Sequence, residues 1–547
     1  MPVIAGTSRV GKRKLLWVWL SLVVLLAGGA YAAAEAESPT AAGLSNADTA
    51  ALGADVTFGP RSKVPQLPCN PNDKPETDLQ GRVPPQDILS GRAAQGYNCN
   101  LVVEGRFPGQ TPSTAWANLD SFRDCVYYGK QGTNGATGLG VQVLDVSDPT
   151  RPVSTDILLT PAMLDPGESL RVNAKRGLLA ATGYTNDYPD ANGNAGFLDI
   201  YDVSGDCRHP RLISSTDMSP AAGHEGWFSP DGMTYYMSTV AREPDKGIPT
   251  LFPVDISDPA KPRLLASWNL GTVTHGGMTT EDGARTYVCE PGVPPTDAML
   301  ALNTQQIAAR RDAPQPTLLT RLPLEDNQWC QSAYRVTYAG HPYLIQYGER
   351  SGSLGGVGGS FGTDCTRSAD NWANFGYPRI IDLADERNPK VVSRALLEVH
   401  LPQHCAEVSR EGAPLGLGYS AHHCSPDRLY DPTILVCSWF GAGLRVLDIR
   451  DPRHPVEIGY FNPGVNLVMG TAARPVIRSD RGEIWFVNDG GGFYVLRFRD
   501  GIWPFKGSAP CPEFNDYYFA QYNPTSQCRT ANFDGIGKPA PAAPRYR

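Results

Sequence analysis

The sequence predicts an all-β protein, a seven-bladed β-propeller of four-stranded antiparallel blades. Three observations predict it: a repeated strand-and-turn unit, a second repeated element built around a glycine turn, and an early strand that can close the ring. Between residues 99 and 500 the chain shows short alternating apolar runs separated by Gly, Asp and Pro, and no helical period.

The first repeated unit is an apolar strand, an Asp, a turn with a second Asp, and a Pro. It recurs at intervals of about 50 residues, a spacing typical of stacked supersecondary modules. The five clear copies occupy residues 141–153, 197–212, 252–264, 379–391 and 444–456. Two degenerate copies, near residues 298 and 493, bring the count to seven.

The second repeated element is a strand, a glycine turn and another strand, placed just before the Asp/Pro unit. Residues 228–237 and 279–288 are its clearest copies. Together the two elements supply four antiparallel strands per repeat, which is the content of a propeller blade. Six or eight blades remain the alternatives to seven.

The last repeat has no room for a fourth strand before the pattern ends. Residues 100–109 resemble the outer strand at residues 456–464. We therefore expect this N-terminal strand to complete blade seven and to remove two free sheet edges.

The repeated acidic residues have a structural interpretation. A carboxylate at the end of a strand can accept hydrogen bonds from turn N–H groups. One or two carboxylates on each of several separate blades do not form a calcium cage. The residues concerned are Asp145, Asp255 and Asp448 at strand ends, and Asp148, Asp258 and Asp451 in the turns.

The unit L-x-V-x-D-x-S-D-P-x-x-P resembles the LVIVD repeat of exported bacterial β-propeller proteins. The resemblance covers about 400 residues. It implies the propeller fold but supplies no catalytic residues, so function has to be argued from the site.

The ends of the chain differ from its middle. Four basic residues precede an apolar run at residues 15–34, and Ala30-Tyr31-Ala32 fits a signal-peptidase site. An uncleaved membrane anchor with the protein facing outward is the alternative. We expect a periplasmic or secreted protein with four parts: signal peptide 1–34, flexible or irregular leader 35–98, propeller 99–500 and irregular tail 501–547.

Twelve cysteines suit an oxidising compartment, where disulfides persist. Cys69 and Cys99 flank the irregular leader, and Cys511 and Cys528 bracket the tail. We expect each pair to form a disulfide, although connectivity is not determined by sequence.

The net charge is −8, with no dense basic block beyond residue 14, which disfavours a nucleic-acid partner. The long insertions fall between the second and third strands of their blades, which places them on one face. We expect a protein, glycan or small-molecule ligand on this loop-rich face. The Gly-rich run at 352–362 lacks the Lys and the helix of a phosphate-binding loop.

The histidines point to the same face. His224 and His275 each lie seven residues before the Asp of a glycine turn, where an innermost strand should begin. His422 and His423 precede the matching turn of blade six, and His404 lies in the loop that enters it. Five imidazoles at one channel mouth can bind copper, zinc or iron. The alternative is that they only hydrogen-bond neighbouring blades.

Three functions remain open at this stage. The first is an exported binding module that uses the loop-rich face and the channel mouth. The second is a metal-dependent periplasmic enzyme, an oxidoreductase, with the channel histidines as ligands. The third is a hydrolase or lyase with carboxylates that sequence does not identify, since such pairs are assembled from distant residues. No H-E-x-x-H motif occurs, and G-x-S-x-G occurs once, at residues 358–362 within the Gly-rich run.

Overall fold

The structure is a computed structural model. It describes residues 62–503 except for a set of gaps, which are 109–115, 131–139, 186–194, 241–243, 292–296, 325–328, 350–374, 409–417, 465–469, 472 and 490. The predicted signal peptide, the Gly-rich run and the Cys511–Cys528 pair lie outside the described residues.

The described chain begins with two strands that join later blades, and the first two complete blades follow. The strands are β1 (Tyr97–Cys99) and β2 (Leu101–Phe107); in blade one β3 (Trp116–Phe122), β4 (Cys125–Lys130), β5 (Val141–Asp145) and β6 (Val153–Leu158); and in blade two β7 (Arg171–Asn173), β8 (Leu178–Thr182), β9 (Phe197–Asp202) and β10 (Arg211–Asp217).

Blades three to five each contain four consecutive strands. They are β11 (Glu225–Phe228), β12 (Thr234–Ser238), β13 (Leu251–Asp255) and β14 (Arg263–Leu264); β15 (Gly277–Thr279), β16 (Arg285–Glu290), β17 (Ala298–Asn303) and β18 (Thr317–Pro323); and β19 (Cys330–Tyr338), β20 (His341–Gly348), β21 (Arg379–Asp382) and β22 (Lys390–Arg394).

Blades six and seven take up the remaining strands. Blade six contains β23 (Ala421–Pro426), β24 (Ile434–Trp439), β25 (Gly443–Asp448) and β26 (Val456–Asn462), and blade seven contains β27 (Val476–Arg478), β28 (Glu483–Asn488) and β29 (Gly492–Phe498).

Helices in the described chain are short connectors between strands. The α-helices are α1 (Pro85–Ser90), α2 (Pro161–Leu164), α3 (Gln305–Ala308) and α4 (Cys405–Val408), and the 3-10 turns are Ala93–Gln95, Pro244–Lys246, Glu398–His400 and Pro402–His404. No helix among the described residues is long and apolar enough to cross a membrane.

The seven sheets confirm the predicted seven-bladed propeller. In every blade the strand predicted from the Asp/Pro unit, clear or degenerate, is the third of the four. The predicted turns form as well: the Asp145 carboxylate accepts a hydrogen bond from the Ser147 N–H at 2.8 Å, and Asp255 accepts one from Ser257 at 3.0 Å. The repeat therefore sets where each third strand ends.

The ring closes through β2, as the sequence predicts. Strand β2 pairs antiparallel with β29, from Leu101 opposite Phe498 to Phe107 opposite Phe493. It supplies the outer strand that the last repeat lacks, and Leu101 packs fully buried in a cluster shared by blades six and seven. Closure thus pairs the second strand of the described chain with the last one.

Residues 62–98, which the sequence analysis assigns to the leader, pack against blade six. Strand β1 adds a fifth strand to that blade by pairing with β26. The predicted Cys69–Cys99 disulfide is confirmed. Fully buried Arg445 forms ion pairs with Glu76 of this segment and, at 3.0 Å, with Glu457 of β26. This part of the chain is therefore fastened to the propeller.

Three further disulfides join pairs of described cysteines within the propeller, and the sequence alone did not predict these pairings. They are Cys125–Cys207, Cys289–Cys330 and Cys424–Cys437. The first joins blade one to the turn after β9 of blade two, and the second joins β16 of blade four to the start of β19 of blade five. Two of the three therefore link neighbouring blades covalently.

Candidate metal centre

Five neighbouring blades direct polar side chains to one point near the centre of the ring. The first strand of each blade lines the channel, and blades two to six each contribute from that strand or from a loop beside it. The contributing residues are Glu168 (blade two), His224 (three), His275 (four), Gln331 and Glu349 (five), and His422 with His423 (six).

Three of these residues lie on segments that enter an innermost strand. His224 directly precedes β11, His275 lies two residues before β15, and Glu168 lies three residues before β7. Glu168 also forms a parallel bridge with Glu225, so blades two and three are in backbone contact here. This geometry places all three at the mouth formed by the loops that enter the first strands.

Two β-bulges aim the other inner residues at the same point. In β23 the pairing with β24 shifts register between Ala421 and Cys424, around His422 and His423. In β19 it shifts between Cys330 and Ser332, around Gln331. A bulge inserts an extra residue and redirects side chains, and bulges are frequent next to active sites. Adjacent His422 and His423 are consequently both fully buried within the cluster.

His224 and His275 face each other through their Nε2 atoms, which are 2.9 Å apart. The His224 Nδ1 lies 3.2 Å from the Thr185 carbonyl oxygen, and the His275 Nδ1 lies 3.1 Å from both the Gln331 carbonyl oxygen and the Glu225 carboxylate. These acceptors require a proton on each Nδ1, so each Nε2 of a neutral ring presents a lone pair. Two lone pairs so close together require a cation between them, either a proton or a metal ion.

Glu168 lies between the two histidine pairs and is almost fully buried. Its Oε1 is 3.0 Å from the His422 Nε2. Its Oε2 is 3.7 Å from the His275 Nε2 and 3.9 Å from the Nε2 atoms of His224 and His423. The Gln331 amide donates to Oε2 at 2.6 Å, which fixes the orientation of the carboxylate.

Glu349 approaches from the end of β20 and is the most exposed member of the cluster, at 18% of its side-chain surface. Its Oε2 is 3.0 Å from the His422 Nε2, and its Oε1 is 3.9 Å from the His275 Nε2. A small ligand from solvent would therefore meet Glu349 before the buried histidines.

A buried ion pair contacts the Nδ1 side of His275, opposite the Nε2 that faces His224. The Glu225 carboxylate contacts the His275 Nδ1 and is paired with the Arg171 guanidinium at 2.9 Å. Carboxylates that accept from the remote nitrogen of a ligating histidine fix the ring and its tautomer, and raise its basicity. Glu225 has the position of such a partner.

His423 is the least satisfied side chain of the cluster. It is fully buried, and neither ring nitrogen has a hydrogen-bond partner. A buried polar group without a partner costs about 1–3 kcal/mol. His423 lies among other metal-ligand types of side chain, Glu168 and His422. Its lack of partners is therefore the strongest indication that a bound group interacts with His423.

The cluster perturbs the pKa values of its members in opposite directions. Burial and the neighbouring His275 lower the pKa of His224 to about 4. Burial opposes protonation of His275, but Glu225, Glu168 and Glu349 outweigh it and raise its pKa to about 9. Burial and then His422 hold the pKa of His423 well below its usual value. Without a metal, protons on some imidazoles therefore balance the carboxylates.

The ligand-type atoms form two sets, each spanning at most 4.8 Å. One set contains Glu168, His224 and His275, and the other contains Glu168, His422 and His423. Each set is two imidazoles and one carboxylate, the donor combination of non-haem iron sites with open positions. Imidazole also suits copper and zinc, so the residues fit all three metals named by the sequence analysis.

Of the five predicted metal ligands, the structure brings four together: His224, His275, His422 and His423. His404 ends a 3-10 turn outside both sets, with its Nδ1 3.7 Å from Glu407. The role of these histidines as metal ligands stays a prediction.

Sequence reasoning missed Glu168, Gln331 and Glu349. The first two lie one residue before Ser169 and Ser332, which occupy the ring positions equivalent to His224 and His275. A search one residue to either side of those positions would have found both. Nothing in the sequence distinguishes Glu349.

The predicted insertions do lie between second and third strands. They follow β8, β12, β16 and β20, which places them at the same mouth as the cluster. Part of each insertion lies outside the described residues, so the ligand predicted for this face remains a prediction.

Comparison with known proteins identifies the repeat. The LVIVD repeat model matches residues 250–269, which contain β13 and the Asp/Pro turn after it. No curated protein matches the sequence.

Similar solved structures include three proteins of different kinds. Hydrazine synthase of Kuenenia stuttgartiensis is 11% identical, with 71% of this chain and 97% of that chain covered and a TM-score of 0.45. The β-propeller domain of Myceliophteria thermophila Cps50 (Swd1) is 10% identical over 72% and 98%, with a TM-score of 0.41. A putative 6-phosphogluconolactonase from Bacteroides uniformis is 11% identical over 70% and 94%, at 0.45. At these TM-scores the likenesses carry no argument about function. The chain is a seven-bladed β-propeller that carries the LVIVD repeat.

Proposed function

We propose that this protein is a metal-dependent oxidoreductase that binds metal at the channel centre through Glu168 together with His224 and His275, His422 and His423, or both pairs. The observation that carries the proposal is His423, a fully buried imidazole with both nitrogens unpartnered among three other histidines. A bound transition metal would satisfy His423 and would also explain the opposed lone pairs of His224 and His275.

Iron is the metal that the donors favour, with copper and zinc as the alternatives. Each set of two imidazoles and a carboxylate leaves coordination positions free, as in non-haem iron oxygenases. A structural zinc site would instead be closed by four protein ligands, commonly including thiolates. Glu349 supports an open site, since its carboxylate contacts His422 while its side chain stays partly exposed to solvent.

Individual residues have distinct roles in this proposal. Glu225, held by Arg171, orients His275 and keeps its Nε2 available. Gln331 holds Glu168 through the hydrogen bond to Oε2. The blade walls exclude bulk water from His422 and His423, both of which are fully buried.

The location and partners that we propose follow from coarser features. Disulfides between neighbouring blades support an oxidising compartment, and so a periplasmic or secreted protein. The loop insertions at the mouth support a small-molecule ligand of this site. The exported binding module, with a protein or glycan partner on the same face, remains the alternative function.

Metal analysis of the purified full chain tests the proposal. We expect near-stoichiometric iron, copper or zinc in the native protein and after reconstitution of chelator-treated protein. His423→Ala and His275→Ala should each reduce the bound metal several-fold. A folded wild-type protein that takes up none of these metals would overturn the proposal.

Surface histidines provide matched controls. The side chains of His341 and His454 are 43% and 79% exposed, and each pairs with a nearby Asp. His341→Ala and His454→Ala remove an imidazole without touching the cluster, so both should retain the wild-type metal content. Circular dichroism and melting temperature show whether each variant is folded.

A further inference from the structure

The two carboxylates of the centre are each shared between the two histidine pairs. Glu168 places Oε1 3.0 Å from His422, and Oε2 3.7 Å from His275. Glu349 repeats the arrangement, with Oε2 3.0 Å from His422 and Oε1 3.9 Å from His275. In both carboxylates, one oxygen is nearest to His422 of blade six and the other lies closer to His275 of blade four, although the Glu168 Oε2 is also 3.9 Å from His423. A carboxylate so placed can bridge two ions.

The separations also argue against one ion for all four histidines. Among the described residues, the ligand atoms that lie within 4.8 Å of one another form two sets that share only Glu168, and neither set contains both histidine pairs. Two ligands bound at about 2.0–2.1 Å to one ion lie at most about 4.2 Å apart. Within the His224–His275 pair the geometry is compact: the 2.9 Å between the two Nε2 atoms matches two ligands at a right angle on one ion.

We propose that the centre holds two metal ions bridged by Glu168 and Glu349, one bound by His224 and His275 and the other by His422 and His423. This inference rests on the proposed function, since it assumes that the cluster binds metal. Each ion would receive two imidazoles from one side, and the two ions would share both carboxylates through different oxygens.

The proposed two-ion centre carries an excess of positive charge. Two divalent ions bring four positive charges against the two bridging carboxylates, because Glu225 is already neutralised by Arg171. A small anion from solution would supply part of the remaining balance. Glu349, the exposed edge of the centre, marks the side from which it would enter.

Stoichiometry of the full-length chain tests the inference directly. Metal-free protein would be titrated with Mn²⁺, Co²⁺ and Zn²⁺ by calorimetry, and bound metal counted by mass spectrometry after gel filtration. We expect about two equivalents per chain for at least one of these ions. Saturation at one equivalent with all three would overturn the two-ion centre but leave the proposed function standing. No binding of these metals, and none of iron or copper, would overturn both.

Pair variants separate the ions. His224→Asn with His275→Gln should lose one equivalent and keep the other, and His422→Asn with His423→Gln should do the same. Loss of both equivalents in folded variants of either kind would contradict independent half-sites.

Paramagnetic resonance supplies a readout that needs no variant. Two Mn²⁺ ions bridged by carboxylates should give the spectrum of exchange-coupled ions. At full occupancy, a spectrum of isolated Mn²⁺ would overturn the bridge.

Discussion

At the scale of single residues, the proposed metal centre depends on side chains that would not contact the metal themselves. Glu225 is almost fully buried and contacts the His275 Nδ1 at 3.1 Å while pairing with Arg171. Burial raises the pKa of Glu225 even though His275 and Arg171 favour its ionised form. Keeping a carboxylate here costs desolvation energy, which a purely packing role would not justify.

Glu225→Gln tests this positioning role. The amide keeps the size of the side chain but removes the charge that raises the basicity of His275. Loss of such an outer partner typically weakens metal affinity by about 10–100-fold. We expect that range in chelator competition, with the variant still folded.

Glu386→Gln is the matched control for Glu225→Gln. Glu386 lies in the turn between β21 and β22, where it pairs with Arg285 and Tyr287. Its replacement should leave metal affinity at the wild-type value. Equal affinities of wild type and Glu225→Gln would show that Glu225 has no positioning role.

At the scale of elements, the strands were predictable and the bulges within them were not. The Asp/Pro unit encodes its own turn, because the Asp145 and Asp255 carboxylates accept bonds within two residues of themselves. A turn that is stabilised by hydrogen bonds between residues so close in sequence can be predicted from the sequence. The bulges around Gln331 and His422–His423 depend on pairing with the neighbouring strand, so they change which residues face the channel without a local signal.

Another bulge lies in β2, the strand that closes the ring. The pairing of β2 with β29 shifts register between Val103 and Gly105. Gly105 lies so close to blade one that an added Cβ would meet the Pro149 carbonyl oxygen at 1.9 Å. Backbone from blade seven and blade one therefore meets directly at this glycine.

Gly105→Ala should loosen that contact. Because the opposing atom is backbone, one of the two blades has to shift, and overpacking of this kind costs about 1–3 kcal/mol. We expect a lower melting temperature than that of wild type. Gly205→Ala is the control, since an added Cβ there meets nothing within 4 Å. Equal melting temperatures of the two variants would mean that Gly105 of β2 does not lie against the backbone of blade one.

At the scale of the whole molecule, the repeat builds the seven blades, and residues that differ from one repeat to the next form the candidate site. Seven similar blades place their first strands around one channel, so any residue entering such a strand approaches the axis. Five different blades supply the cluster, and no blade supplies a complete ligand set. Its carboxylates therefore could not be recognised from one stretch of sequence, whereas the equivalent positions of His224 and His275 in two repeats could be.

A centre built from five blades should couple metal binding to the stability of the entire ring. Ligands that bind only the folded state stabilise it by about 2.7 kcal/mol at a free concentration of 100 times the dissociation constant. Since blades two to six would be joined through the ion, chelation should lower the melting temperature of the whole propeller rather than of one blade.

Calorimetry of metal-free and reconstituted protein would measure this coupling, with His423→Ala as the variant that weakens it and His454→Ala as the control that retains it. The melting temperature of wild type should rise with metal concentration in step with occupancy, whereas that of His423→Ala should rise less at each concentration. A wild-type melting temperature that does not respond to metal at full occupancy would mean that the ligands lie on parts of the ring that unfold independently of the blades. In that case metal binding by the histidines would not stabilise the contacts between blades.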